Sequence, residues 1–460
     1  MKELHARQQA AFRDNPNPSL EQRRGWLAGL LKSMLARQEH LIAAVNADFS
    51  CRSRAETLYA EIYTTASAIR HARSNVASWM RPKPRPVPLT LQPGQAWIQP
   101  QPVGVVGIIS PWNFPVNLAL IPMAAALSAG NRVILKPSEL TPATAEVLRE
   151  LLGEAFTDDQ VAVVTGDADV GREFAGLPLD HLLFTGSTAV GREVMKAASA
   201  NLTPVTLELG GKSPALITRG ARLGPAAASI AYGKLTNAGQ ICIAPDYVLI
   251  PRLGLRAFVE KFSEAARGFY PGGVESADYT AIISDKHHAR LAGYVAEARS
   301  RGVEVIAPFG DGGTGRKLAP ALLLDPPDDL RVMQEEIFGP ILPLKPYDSL
   351  DQAIQYVNAR PRPLTFYLFT QDSSMRRQVL ERTISGGMCI NDTLTQFAVD
   401  GLPFGGIGPS GMGRYHGEEG FQTFSHGKPV FRSRLVNPAA IFRPPSTRLQ
   451  RWVGRFLIGK

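Results

Sequence analysis

The stretch from residue 103 to residue 209 alternates two kinds of segment, and that alternation leaves few folds open. Apolar runs stand at 103–109 ("VGVVGII"), 132–137 ("RVILKP"), 161–165 ("VAVVT"), 181–185 ("HLLFT") and 204–209 ("PVTLEL"). Helix-patterned segments lie between them, among them 116–129, closed by Gly130, and 141–156. A strand that is apolar throughout has both faces buried, and parallel neighbours must be joined by a crossover, which a helix supplies. Strand, helix, strand at this spacing predicts an α/β fold with a parallel, doubly wound sheet. In such sheets ligands sit where strand C-terminal ends meet helix N-termini, because unpaired N–H groups and the helix dipole favour anions there.

Before this region, Ser19 and Gln22 have the form of a capping box, and Trp26, Leu27, Leu30, Leu31, Met34 and Leu35 recur at helical spacing. The chain therefore opens with amphipathic helices. Residues 81–102 carry seven prolines around a Pro93-Gly94 turn signal. Proline is tolerated only at sheet edges, so this segment predicts a hairpin projecting outside the main core. At ~150 residues per domain, the length implies about three folding units with room for a cleft between them.

Several function classes drop out. The net charge of +9 comes from 50 Lys+Arg against 41 Asp+Glu. These are mixed along the chain apart from basic stretches near 81–85 and at the C-terminus, which is a mild anion preference and not a nucleic-acid footprint. The three cysteines, at 51, 242 and 389, form no CxxC and no framework spacing, so neither a disulfide scaffold nor a metal site is expected. The N-terminus has no signal-like apolar stretch, and the longest weakly polar window, 116–130, is too short to span a bilayer, so a cytoplasmic location is expected.

Three local signals bear on nucleotides. Gly186 to Gly191 reads GxxxxG, not the usual GxGxxG, and alone is no more than a strand-to-helix turn. "GGKS" at 210–213 imitates the end of a phosphate loop, but Thr206 stands where that pattern needs glycine. "LKPSE" at 135–139 sets Lys136 and Glu139 just past a strand end, where they suit a phosphate and a ribose; a solvated loop charge pair accounts for them as well.

Taken in order, the loops contain "SPWNFP" (110–115), "LKPSE", "FTGS" (184–187), "LELGGKSP" (207–214), "NAGQICIAPDY" (237–247), "EEIFGP" (335–340) and "LPFGGIGPSGMGRYHG" (402–417). This series resembles the aldehyde dehydrogenase superfamily across nearly the whole chain. The late start, together with "NAGQICIAPDY" and "GMGRYHGEEGFQTFSH", looks most like the class 3 branch. Within it, "NDTLTQ" (391–396) is similar to bacterial coniferyl-aldehyde dehydrogenases. The resemblance implies a Rossmann-like NAD(P)-binding domain (1–80 and 103–207), an α/β catalytic domain (208–414) and an oligomerisation arm (81–102 and 415–460), with a homodimer as the expected assembly.

It also implies residue roles. Hydride transfer from an aldehyde needs a tetrahedral carbon, so a nucleophile must add first, and a thiolate suits because it leaves a hydrolysable thioester. The resemblance gives that role to Cys242, with Asn113 and the Cys242 backbone N–H at the oxyanion and Glu208 as the base. Glu208 could instead be a structural carboxylate satisfied by backbone amides. The implied cofactor set is Trp112, Lys136, Glu139, Gly186, Ser187, Glu336 and Phe338, with NAD favoured because Glu139 repels a 2′-phosphate, and NADP kept open by Lys136. Cys51 and Cys389 are assigned to structure.

For the substrate pocket, Phe114 and Ile241 stand where the branch more often has Tyr and Thr, and with Phe397, and by guess Tyr59 and Tyr63, they suggest an apolar wall for an aromatic or medium- to long-chain aldehyde. The expected product is the free carboxylic acid. Rivals are a CoA-acylating dehydrogenase, against which Glu208 argues, and an inactive binding or structural relative. The tail puts Leu449, Trp452, Val453, Phe456 and Leu457 on one helical face and Arg448, Arg451 and Arg455 on another. That face either docks on the protein itself or its dimer mate, or makes a weak membrane-surface contact.

Overall fold

A computed structural model describes residues 1–434, 440 and 442–459. The alternating stretch forms a six-stranded sheet in the order Gly411–Met412, Val205–Glu208, His181–Thr185, Val105–Ile109, Arg132–Lys136, Val161–Val163. The last five are parallel; Gly411–Met412 is an antiparallel edge. The chain runs outward from Val105–Ile109 in one direction and then returns to its other side at His181–Thr185. Strand order reverses between these two, so the loops beginning at Ser110 and Gly186 flank the crevice where ligands collect.

The helix after the first strand, Asn117–Ala129, is buried along its whole length and ends on Gly130 in the left-handed region. The Ser19/Gln22 capping box is made in both directions, and the helix it starts, Leu20–Ala36, buries Leu27, Leu30, Leu31 and Met34. That face packs against Asn117–Ala129, Pro142–Ala155 and Thr64–Trp79.

A second, seven-stranded sheet has the order Glu304–Ile306, Ala321–Leu324, Ile341–Tyr347, Tyr247–Pro251, Pro214–Ile217, Thr365–Phe369, Gly387–Ile390. Only Glu304–Ile306 is antiparallel to its neighbour. The proline-rich segment turns back on itself as Lys83–Arg85 and Gln95–Pro102, and Ser425–Arg432 completes an antiparallel three-stranded arm. Between arm and body, Gly411–Met412 joins the first sheet and the helix Gly417–Thr423 packs on Asn117–Ala129, with Phe421 and Phe424 in that core. These two elements lie on either side of residue 414.

Candidate active site

Cys242 lies half-buried in the turn that leads into Tyr247–Pro251. The approach to it is strained. Asn237 and Ala238 both have φ of 49°, and Gly239 follows at 73°. Residues other than glycine occupy that region only when their surroundings hold them there. Asn237 is held from three directions: its N–H donates to both oxygens of Glu56 at 3.0 and 3.1 Å, and its side-chain amide donates to the carbonyls of Asn113 and Gln240 at 3.0 and 3.1 Å. A Cβ at position 239 would meet the Gly339 carbonyl oxygen at 2.4 Å, so glycine is required there.

Asn113 is 3% exposed, and its side-chain N–H₂ donates to the Gln240 carbonyl at 3.1 Å. One of its two amide hydrogens is thereby engaged, which fixes the amide plane. Two loops, 110–115 and 237–242, are thus stitched together at the point where sequence reading placed an oxyanion.

Glu208 ends its strand buried, and neither carboxylate oxygen has a hydrogen-bond partner. The alternative of a carboxylate satisfied by backbone amides does not hold. Burial lifts its pKa well above the ordinary carboxylate value. Glu336 lies over Gly210, where any Cβ would fall 1.9 Å from its Oε2, and its pKa is raised to about 7, chiefly by burial. Behind it, Lys212 pairs with Asp246 and donates to the carbonyls of Val332 and Glu335 at 2.8 and 2.9 Å. The lysine of "GGKS" therefore braces the "EEIF" loop. Burial raises the Cys242 thiol to about 12, with the charges of Glu336 and Glu208 adding to it. At neutral pH the Cys242 sulfur therefore rests as a thiol, and forming the thiolate there needs a base to take its proton.

Trp112 stacks edge-on with Phe338 at 5.3 Å between ring centroids, which brings "PWNF" against "EEIF". Ser187 caps the helix Thr188–Ser199, accepting from the Val190 N–H, with Gly186 beside it at the sheet's crevice. Lys136 donates to Glu139 at 2.8 Å; the lysine is buried and the Glu139 side chain is 44% exposed. Burial is the largest single influence and acts to raise Glu139, but the bond from Lys136, a backbone hydrogen bond and the Lys136 charge together outweigh it and leave the carboxyl below its usual value.

A cavity of about 450 Å³ opens onto Cys242. Phe114, Ile241 and Phe397 line it, with Tyr59 and Tyr63 near the mouth. Leu118, Tyr232 and Leu394, which sequence reading did not single out, complete much of its apolar wall. Leu118 and Tyr232 belong to helices whose facing is set by distant packing, so no local pattern marks them. Cys51 and Cys389 lie away from the cavity lining.

The chain belongs to the aldehyde dehydrogenase family: the sequence model of that family matches residues 2–430. Among curated relatives, a probable coniferyl aldehyde dehydrogenase of Pseudomonas aeruginosa is 51% identical, over 96% of this chain and 93% of its own length. Aldehyde dehydrogenase family 3 member A2 of Mus musculus is 38% identical, over 97% and 92%, so the class 3 branch is also matched. Among solved structures, the substrate-bound state of Staphylococcus aureus AldH superposes with a TM-score of 0.94 at 36% identity, covering 99% of both chains. A Mycobacterium tuberculosis aldehyde dehydrogenase complexed with NAD+ superposes with a TM-score of 0.82 at 29% identity, over 93% of this chain and 89% of that one.

Proposed function

We propose that this enzyme oxidises an aromatic aldehyde of the coniferaldehyde type to the free acid with NAD as acceptor. The observation that carries the reading is the joint placement of Cys242 at an apolar cavity and Glu208 close by with both oxygens unpartnered. The Cys242 sulfur adds to the carbonyl carbon while its proton passes to a base, and the carbonyl electron pair moves onto oxygen, where the second amide hydrogen of Asn113 and the Cys242 N–H receive it. Collapse of that oxyanion expels hydride and leaves a thioester. Glu208 then takes a proton from water as it attacks, and the thiol is released with the acid.

The residues present fit a dinucleotide. The helix N-terminus at Ser187 faces the crevice at which strand order reverses, Glu139 stands beyond a strand end, and Phe338 and Trp112 form an aromatic edge beside Glu336. Ser187 with Gly186 would meet the pyrophosphate, Lys136 and Glu139 the adenosine ribose, and Glu336 the nicotinamide ribose. The nicotinamide, when bound, supplies the hydride acceptor. Lys136 is already engaged by Glu139, which favours NAD over NADP.

The three-stranded arm has two open edges, and Ser425–Arg432 is largely exposed with Phe431 half out; this supports pairing of two copies as a homodimer. Among the described residues nothing of the chain's own body covers the apolar face of the tail helix, which favours a contact with a membrane surface.

The test is cofactor reduction followed by absorbance without CoA. Wild type should turn over coniferaldehyde, benzaldehyde and aliphatic aldehydes in a ranked order, and Cys242→Ala should be silent. Wild-type turnover that appears only when CoA is added would replace hydrolysis with acyl transfer.

A further inference from the structure

Beside the site lies a buried ion pair that the chemistry above leaves unused. Arg52 and Glu61 have side chains with no exposure at all and pair at 3.2 Å. Arg52 Nη1 also donates to the Asn113 carbonyl at 2.8 Å, and its guanidinium lies 4.7 Å from the Phe114 ring centroid and 4.9 Å from that of Phe49. Glu61 sits in the π-helical turn Thr57–Tyr63. Its Oε2 accepts from the N–H groups of Val116 and Asn117 at 2.7 and 3.2 Å, at the start of the helix Asn117–Ala129.

The two charges thus grip one short loop from both ends. Arg52 takes the carbonyl of residue 113 and Glu61 takes the amides of residues 116 and 117. The ion pair is weak evidence for stability, since taking two ions out of water costs about as much as their attraction returns. What the ion pair provides, and an apolar pair does not, is direction. Asn113 carries no hydrogen bond to fix the carbonyl side of its peptide except those from Arg52 and Asn237, and an oxyanion donor displaced by a fraction of an ångström loses much of its effect.

We propose that Arg52 and Glu61 are positioning residues that aim the Asn113 amide at the developing oxyanion, and that they serve the hydride-forming half of the reaction. The proposal rests on the oxyanion role given to Asn113 above. A cation held 2.8 Å from the Asn113 carbonyl also polarises that peptide unit.

Three measurements on the intact enzyme separate aim from general integrity: single-turnover hydride formation, NAD binding, and alkylation of Cys242 by iodoacetamide. Alkylation displaces iodide at a saturated carbon and develops no oxyanion, so it reports the thiol's setting without using Asn113. Removing one charge alone strands the other in the core, so the informative variants are Arg52→Lys, which keeps the charge and loses the fork, and the double variant Arg52→Met with Glu61→Met. Both should bind NAD and alkylate within about twofold of wild type. Hydride formation should fall about tenfold in Arg52→Lys and about 10²-fold in the double variant, approaching Asn113→Ala. Hydride formation within twofold of wild type in the variants, with Asn113→Ala slowed, overturns the clamp alone. Alkylation and hydride formation falling together also overturn it, because the pair would then hold the fold and not the donor. If Asn113→Ala itself forms hydride at the wild-type rate, the oxyanion assignment fails and takes the clamp with it, whereas a wild type that forms no hydride with any aldehyde refutes the proposed function.

Discussion

Gly411 stands opposite Glu208 across the antiparallel edge of the first sheet, and a Cβ on it would come within 2.1 Å of the Leu207 carbonyl oxygen. The glycine lets the "GMGRYHG" segment lie against the strand end, closing the site over Glu208 while giving its carboxylate no partner. An unpartnered buried carboxylate is costly unless a ligand or reacting water uses it. Glu208→Gln should therefore form one equivalent of reduced cofactor per active site in a burst close to wild type. The following steady rate should drop by ~10² to 10⁴ as the thioester persists. A steady-state rate equal to wild type would remove Glu208 from hydrolysis.

The thiol's setting gives a second prediction. Burial, Glu336 and Glu208 together push Cys242 up to about 12 in the cofactor-free protein. The thiolate is the reacting form, and its fraction grows about tenfold per pH unit as long as pH stays below the pKa. Iodoacetamide alkylation of the cofactor-free enzyme should therefore climb steadily from pH 7 to pH 10 without levelling. A plateau beginning near pH 8.5 would mean an ordinary exposed thiol. In Glu336→Gln the whole curve should move toward lower pH, since one of the charges opposing ionisation is gone.

The sheet and the cavity-lining residues Phe114, Ile241, Cys242 and Phe397 were legible in the sequence. The alternation from 103 to 209 set the parallel sheet because strands apolar on both faces with helices between them favour parallel crossovers, and the motifs at 110–115, 135–139, 184–187 and 207–214 lie at its strand ends. Arg52 and Glu61 were illegible for the opposite reason: "CRSR" and "AEIY" look like ordinary solvated helix charges, and what buries them is packing against residues 113–117, some sixty positions away. Gly411–Met412 was missed as a strand because two residues, one of them glycine, carry no periodicity. Lys212 shows the same limit from the other side. Its motif excluded a phosphate loop, but only the fold reveals that it braces Glu336 through Asp246 and the carbonyls of Val332 and Glu335.

Cofactor choice should follow the Lys136–Glu139 pair. With the carboxylate ionised and bonded to the lysine, a 2′-phosphate meets a negative charge and finds the cation already occupied. NAD should be preferred over NADP in kcat/KM. Glu139→Gln should narrow that preference about tenfold or more by removing the repulsion and freeing Lys136, a change of ~1.4 kcal/mol in transition-state binding. Lys136→Met should weaken NADP use further without reversing the order. An unchanged NAD-to-NADP ratio in Glu139→Gln would place the adenosine ribose elsewhere.

The last prediction concerns the tail, where sequence charge and structure converge. After Glu419 the chain has no Asp or Glu but eight Lys and Arg residues, which leaves 42 basic against 41 acidic residues before that point. Nearly all of the net charge of +9 therefore belongs to the last forty-one positions. Within them the helix Arg448–Leu457, started by a Thr447/Gln450 capping box, exposes Leu449, Trp452, Phe456 and Leu457, with Trp452 and Phe456 stacked at 6.2 Å. No helix among the described residues is long and apolar enough to cross a membrane. An amphipathic helix of this kind can instead lie in an anionic interface, gaining ~1 kcal/mol for each basic residue near the surface plus the burial of its aromatic face. The intact enzyme should co-sediment with vesicles of phosphatidylglycerol and phosphatidylcholine at low salt and much less with phosphatidylcholine alone. Binding should weaken steeply as salt rises, because the attraction is screened within a Debye length. Trp452→Ala with Phe456→Ala should abolish sedimentation while leaving turnover of a soluble aldehyde unchanged. If wild type ignores anionic vesicles and the same pair of substitutions instead shifts the protein from dimer to monomer on sedimentation, the exposed face belongs to the second copy and not to lipid.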